Sequence, residues 1–309
     1  MKSLVIGASG QVGALLYRGS QRAGHCIGTY LSQSAPDLVP LDLRDEAGIA
    51  DLFRQYQPDV CYLPAAMTHV DRAELYPEEC QAINEHGVDH VIEAARKAGS
   101  FLVYLSTDHV FGERDTPWRE SEPTCPLSVY AASKVAAERA IREALPGRHL
   151  IARTSWVFGP DRQEKNFLYR LRRTLTAGER LGVPPGEWGQ PTYGPDLART
   201  IRHLVRRKAY GTIHIVGPQA MTRLNWALML ADEMGFSTEE VGLDWSVDNG
   251  SRAPRPQHLR LSRQKLLRYL FTDPIRDPRL GIRATLKLMQ AEVRTSKVRS
   301  SHGETRKAG

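Results

Sequence analysis

The sequence has few cysteines, no long apolar run and no dense basic-aromatic cluster, and each absence removes a class of function. Cys26, Cys61, Cys80 and Cys125 are widely spaced and form no CxxC pair. Neither a disulfide framework nor a zinc site follows from them, and free, mostly buried thiols in a reducing compartment are expected. No stretch approaches the roughly 18 apolar residues that a membrane span requires. The N-terminus, Met1 to Gly7, enters a strand pattern at once and leaves no room for a secretory signal, so a cytoplasmic location is expected. The net charge of +7 points toward acidic partners, but part of it lies in the last stretch. There Arg294, Lys297, Arg299, Arg306 and Lys307 outweigh Glu292 and Glu304. That stretch, 291–309, is rich in Ser, Thr and Gly and reads as a basic disordered tail. Without it the body is only mildly basic, and no nucleic-acid or membrane partner is expected.

What is present is an alternation of short apolar runs and amphipathic stretches, the pattern of an α/β fold with a doubly wound parallel sheet. With 309 residues, one large domain and a smaller C-terminal α/β lobe are expected. Residues 1–160 read as a dinucleotide-binding core, partly rejoined by 190–235. Residues 161–189 and 236–290 read as a substrate lobe. Strands are expected at Ser3–Ile6, Cys26–Tyr30, Val60–Leu63, Phe101–Leu105, His149–Thr154 and Thr212–Val216. Helices are expected over about Val12–Ala23, Cys80–Ala98, Val129–Leu145 and Asp196–Lys208. The segment Val241–Leu261, with Asn249-Gly250 and Pro254-Arg255-Pro256, reads as largely irregular.

Gly7-Ala8-Ser9-Gly10-Gln11-Val12-Gly13 follows a strand and opens a helix, the context in which a glycine fingerprint carries chemistry. Gly7 permits a sharp turn, Gly10 lets the backbone approach a pyrophosphate, and Gly13 lets helix and strand pack closely. The second strand ends in Thr29-Tyr30-Leu31-Ser32-Gln33-Ser34, with no acid before Asp37 to bond a ribose 2′-hydroxyl. NADP is therefore favoured, with NAD as the alternative, and Arg18 or Arg22 are candidates to approach a 2′-phosphate. Tyr130 and Lys134 lie four apart on one helical face. A nearby ammonium is expected to lower the phenol pKa, so that Tyr130 can exchange a proton with a substrate oxygen. Ser106-Thr107-Asp108 ends the strand that precedes this helix, where a hydroxyl can hold a reacting carbonyl.

Other features carry plainer readings. His86 and His90 have metal-like i, i+4 spacing, but a solvated helix face explains them. Asp115, Glu120 and Glu122 sit in a Pro-containing loop expected to be exposed. Arg170, Arg172 and Arg173 suit either an anionic substrate or a solvated helix. Trp156 and Trp188 suit either base stacking or the core of the lobe.

Together these residues resemble the extended short-chain dehydrogenase/reductase family and, within it, the dTDP-4-dehydrorhamnose reductase group. The matching stretches are GASGQVG from Gly7, AAMTHVDRAE from Ala65, LSTDHVFG from Leu105, PLSVYAASKVAAE from Pro126, RTSWVFG from Arg153, GQPTYGPDLA from Gly189 and RAPRPQHLRLSRQKL from Arg252. The resemblance runs from about Met1 to Gln290 and implies a Rossmann fold. It implies Thr107, Tyr130 and Lys134 as catalytic residues. It implies a cofactor site at Gly7, Ser9, Gly10, Gln11, Val12, Gly13, Asp42, Leu43, Ala65 and Ala66, with Tyr130 and Lys134. It implies substrate contacts from Thr68, Val70, Ser106, Trp156, Asn166 and Arg255. The implied reaction is NADPH hydride transfer to the 4-keto carbon of a nucleotide-linked 6-deoxyhexulose, with a homodimer as a compatible assembly.

The sequence departs from the group at several points. Pro64 replaces the usual Asn before the paired alanines, Ala131-Ala132-Ser133 replaces Gly-x-Thr, and His109 stands where Tyr is common. The loop from Thr107 to Tyr130 is one residue shorter than is typical. The acidic residues with which some reductases bind magnesium are not recognisable, so no metal is expected. Alternatives are another nucleotide-sugar ketoreductase or an epimerase, and, in another class, a non-catalytic NADP-binding regulatory subunit similar to the beta subunit of methionine adenosyltransferase. Asp108-His109 is not the Asp-Glu pair of a dehydratase.

Overall fold

A computed structural model describes residues 1–244 and 253–304, with side chains described through residue 291. β1 (Ser3–Val5) feeds α1 (Gln11–Gln21), followed by β2 (Cys26–Tyr30), β3 (Leu38–Pro40), α2 (Glu46–Tyr56) and β4 (Val60–Leu63). Short helices α3 (Val70–Leu75) and α4 (Pro77–Gln81) lead through a π-helical turn at Ala82–His86 into α5 (Gly87–Ala98). β5 (Phe101–Thr107), α6 (Val129–Ala144) and β6 (His149–Thr154) come next. The later chain carries β7 (Val157–Phe158), α7 (Phe167–Thr176), β8 (Leu181–Val183), β9 (Trp188–Gly189), β10 (Thr192–Tyr193), α8 (Gly194–Arg206) and β11 (Gly211–His214). It closes with β12 (Met221–Thr222), α9 (Arg223–Met234), β13 (Val241–Leu243), α10 (Gln264–Leu270) and α11 (Pro278–Glu304).

Seven strands form one sheet in the order β3-β2-β1-β4-β5-β6-β11, every neighbouring pair parallel. All four residues of β4 are buried, as expected of a parallel strand covered on both faces. On one face α1 and α8 pack around Leu16, Leu197, Ile201 and Leu204; on the other α2, α5 and α6 pack around Phe53, Val91, Ile92 and Ile141. Strand order reverses between β1 and β4, so a crevice opens there at the carboxyl ends. Local chemistry sets the boundaries: Asp45 caps α2, Ser128 caps α6, and Gly99 ends α5 in the left-handed region at φ 69°.

A second core holds Phe158, Leu168, Leu171, Val183, Trp226, Leu230 and Ile282. Packing therefore divides the chain differently from the expected boundaries. Residues 221–235, expected to rejoin the main core, carry α9 into this lobe, whereas Leu266 and Ile275, expected in the lobe, pack on the main core. Sequence periodicity missed β3, α2 and α9, and it ran α4 and α5 together across the π turn. The expected disordered tail is also corrected: α11 continues to Glu304. Its early turns dock Ile282 and Met289 in the lobe, and Ala, Glu, Arg and Lys are residues that carry a helix onward. Residues 305–309, Asn249-Gly250 and Arg252 lie outside the described residues. Cys61 and Cys80 are buried, Cys26 half-buried, and Cys125 exposed. Among the described residues, no helix is long and apolar enough to cross a membrane.

Trp226 is 1% exposed and packs edge-on against Phe158, with ring centroids 4.9 Å apart. Trp226→Ala is expected to cost about 3–5 kcal/mol, read as a lowered midpoint in urea unfolding.

Candidate active site

The glycine turn sits at the switch between β1 and β4. Gly7 has φ +94°, and a Cβ there would stand 2.8 Å from Ala65 Cβ. Its amide donates to Thr29 Oγ1 at 3.1 Å, and the Ala8 amide donates to the Thr29 carbonyl at 2.7 Å. At Gly13 a Cβ would stand 2.0 Å from the Gly7 carbonyl oxygen, so helix and turn can close only on a hydrogen. At Gly10 the nearest protein atom would be 3.5 Å away, which leaves the backbone open to a ligand. No side chain caps α1 at Gly10, and its first turn holds no acid. The amides of Gln11, Val12 and Gly13 therefore suit a pyrophosphate. Arg18 lies in the last turn of α1 and Arg22 just beyond it, about 10–16 Å along the axis from these amides.

Thr107 ends β5, and Tyr130 and Lys134 project from one face of α6, both side chains buried. The Thr107 hydroxyl donates to Asp108 Oδ1 at 3.1 Å and accepts from the His109 amide at 3.2 Å, and it lies near enough to the Tyr130 phenol to influence its ionisation. The His109 ring meets Tyr130 edge-on at 6.4 Å. Burial pushes the Tyr130 phenol well above its ordinary value; the Asp108 carboxylate adds to this and the Thr107 hydroxyl opposes it. The expected lowering is thus reversed, because desolvation of the phenolate outweighs the stabilisation a cation would give. Burial also pulls the Lys134 ammonium down to about 7, with Glu138 and then Cys80 opposing. Lys134 Nζ rests 4.0 Å from the centroid of the Tyr104 ring. The phenol therefore carries its proton at neutral pH, and a neighbouring positive charge that stabilises the phenolate is what would ease its donation.

The remaining residues implied by the resemblance divide into those near this set and those engaged elsewhere. Val70 packs with Met67, Ala73, Cys80 and Tyr130, while Thr68 is exposed on the same loop. Ala65 and Ala66 follow β4 beside the glycine turn. Ser9 meets the opposite loop through its carbonyl, which accepts from Gln163 Nε2 at 2.9 Å. Asp42 is paired with Arg44, whose hydrogen bonds hold its carboxyl below the usual range, and Leu43 is a core residue. Three substrate expectations meet other partners. Ser106 donates to Glu138 Oε1 at 2.6 Å, because strand alternation turns it to the Tyr104 face, away from Thr107. Asn166 caps α7 through the Leu168 amide and donates to the Gly159 carbonyl. Arg255 is paired with Asp71 at 2.9 Å, and Asp71 also accepts the Ala253 amide. Trp156, at φ +36°, lies under the Arg223 guanidinium at 3.6 Å on the edge of the lobe core.

The plainer readings fare unevenly. His90 meets the Leu43 carbonyl, and among the described residues no cluster of three or more His, Cys, Asp or Glu side chains could hold a metal. Glu120 is not exposed: its carboxylate accepts the His214 amide at 3.0 Å and its side chain is 9% exposed, because the loop folds back over the end of β11. Glu122 is half-buried against Arg114. Thr29, Asp71, Glu138, Arg153 and Gln163 support the site and were not singled out from the sequence. Only Glu138, one turn beyond Lys134, carried a spacing signal that would have found it.

Comparison with known proteins agrees with this geometry. The model of the RmlD substrate binding domain matches residues 1–291. The dTDP-4-dehydrorhamnose reductase of Salmonella typhimurium is 32% identical over 279 residues, covering 87% of this chain and 91% of that protein. A crystal structure of the Bacillus anthracis dTDP-4-dehydrorhamnose reductase in complex with NADP superposes with a TM-score of 0.84 at 26% identity, covering 93% of this chain and 99% of that one. A hypothetical dTDP-4-dehydrorhamnose reductase from Sulfolobus tokodaii superposes at 0.82 with 30% identity over 91% of this chain and 99% of its own. With a family match across nearly its whole length, the chain belongs to the RmlD substrate-binding domain family of extended short-chain dehydrogenase/reductases.

Proposed function

We propose that the chain is an NADPH-dependent oxidoreductase that reduces the 4-keto group of a nucleotide-linked 6-deoxyhexulose, in the manner its dTDP-4-dehydrorhamnose reductase relatives are named for. The observation that supports the reading is Thr107 at the carboxyl end of β5 with Tyr130 and Lys134 buried on the following helix, in a sheet whose glycine turn stands at the β1–β4 switch. Bound NADPH supplies the hydride for the carbonyl carbon. Gly10 and the first amides of α1 hold the pyrophosphate, with Ala65 and Ala66 along the crevice. Tyr130 delivers its phenolic proton to the carbonyl oxygen, Thr107 orients the phenol, and the Lys134 charge stabilises the phenolate left behind. Thr68, Val70 and Trp156 are assigned to contact the sugar nucleotide. The absence of an acid after β2 favours NADPH over NADH.

The test is a panel of nucleotide-linked 4-keto-6-deoxy sugars assayed by loss of NADPH absorbance, repeated with NADH. Consumption with NADPH exceeding that with NADH is expected. Tight NADPH binding with no keto sugar reduced, and no change on Tyr130→Phe, would instead fit the regulatory-subunit alternative.

A further inference from the structure

We infer that Glu138 is a positioning residue for this site, anchoring α6 to the ends of β5 and β6 and setting its negative charge against the Lys134 ammonium. The inference rests on the reductase reading only for its kinetic arm. Glu138 Oε1 accepts from Ser106 Oγ at 2.6 Å and Arg153 Nε at 2.9 Å; Oε2 accepts from Arg153 Nη2 at 2.6 Å and Arg142 Nη1 at 3.1 Å. The Glu138 side chain is wholly buried and that of Arg153 is 2% exposed. Ser106 precedes Thr107 and pairs in register with Arg153 across β5 and β6. One carboxylate thereby joins the strand end that carries Thr107, the neighbouring strand, and the helix that carries Tyr130 and Lys134.

A buried ion pair of this kind is seldom more stabilising than apolar residues of the same volume, so its presence asks for a role in geometry or electrostatics. Burial alone would raise the Glu138 carboxyl, but Arg153, then Ser106 and Arg142, hold it below its ordinary value, so the charge persists. The groups around Lys134 come from several elements: the Tyr104 ring on β5, the Cys80 thiol on α4, Tyr130 and Glu138 on α6 itself. Glu85 on the π turn and Asp108 after β5 face Tyr104 and Tyr130 in turn. Of these, Glu138 is the leading opponent of the burial that brings Lys134 down to about 7. Below that value the side chain is an ammonium and can stabilise the Tyr130 phenolate; above it the amine cannot. Reduction should therefore fall as pH rises through this range, and removing Glu138's charge should move the fall to lower pH.

The test uses the full chain with Glu138→Gln and with Glu138→Gln/Arg153→Met, the second leaving no unpaired buried guanidinium. The Lys134 resonance, assigned by its loss in Lys134→Arg, is titrated by 13Cε-lysine NMR, and the alkaline limb of kcat/KM is followed at saturating NADPH. Both midpoints are expected to fall by about one pH unit, with circular dichroism unchanged. An unmoved Lys134 midpoint in either folded variant overturns the inference. Should the wild type reduce no keto sugar at any pH, the reductase reading fails, and the NMR titration alone decides the role of Glu138.

Discussion

Tyr130→Phe is expected to lower kcat for keto-sugar reduction by about 10²–10⁴-fold while leaving NADPH affinity nearly unchanged. The substitution removes one oxygen from a buried ring and no apolar packing against Met67, Ala73 and Cys80. It removes the phenol that α6 carries near Thr107, one turn before Lys134. The loss should therefore appear in turnover, measured by NADPH absorbance, and not in a fluorescence titration of the cofactor. A fall in cofactor affinity as large as the fall in turnover would mean that Tyr130 chiefly holds the cofactor.

Gly13→Val should have the opposite signature. Its Cβ would stand 2.0 Å from the Gly7 carbonyl oxygen and 3.1 Å from Ala8 Cα, both backbone atoms. The clash can be relieved only by lifting α1 from the turn, which misdirects the amides of its first turn. We expect a stability loss of about 1–3 kcal/mol. We also expect NADPH affinity to fall by about 100-fold or more, in keeping with several misplaced charge-assisted bonds. A melting experiment together with a fluorescence titration reads both. Unchanged NADPH affinity in a folded variant would remove the glycine turn from the cofactor site.

Much of the frame was legible because its signals are local. The run Val60 to Leu63 is continuously apolar, the glycine spacing follows a strand, and Tyr130 and Lys134 share a helical face by spacing alone. What escaped was set by distance in sequence. Ser106 and Thr107 are adjacent letters, yet the pleat sends one to Glu138 and the other to Tyr130. Arg255, implied as a substrate contact, is paired with Asp71, far away in the chain. Asn166 resembles a ligand residue and is used as a helix cap. The direction of the Tyr130 shift escaped as well, because spacing shows that a cation is near but not how completely both groups are desolvated. The helix α2 was missed although Asp45 caps it, since only Ile49 and Phe53 make its buried stripe.

The lobe core is assembled from 158–183, Tyr193, 221–241 and 282–289, with α8, β11 and α10 returning to the main sheet in between. A body tethered by repeated crossings has no single pair of joints about which to swing. Large hinge closure over a substrate is therefore costly here, since each crossing would have to bend in concert. Gating falls to side chains and short loops along the shared edge, where the Gln163 amide meets the Ser9 carbonyl and Arg255 meets Asp71.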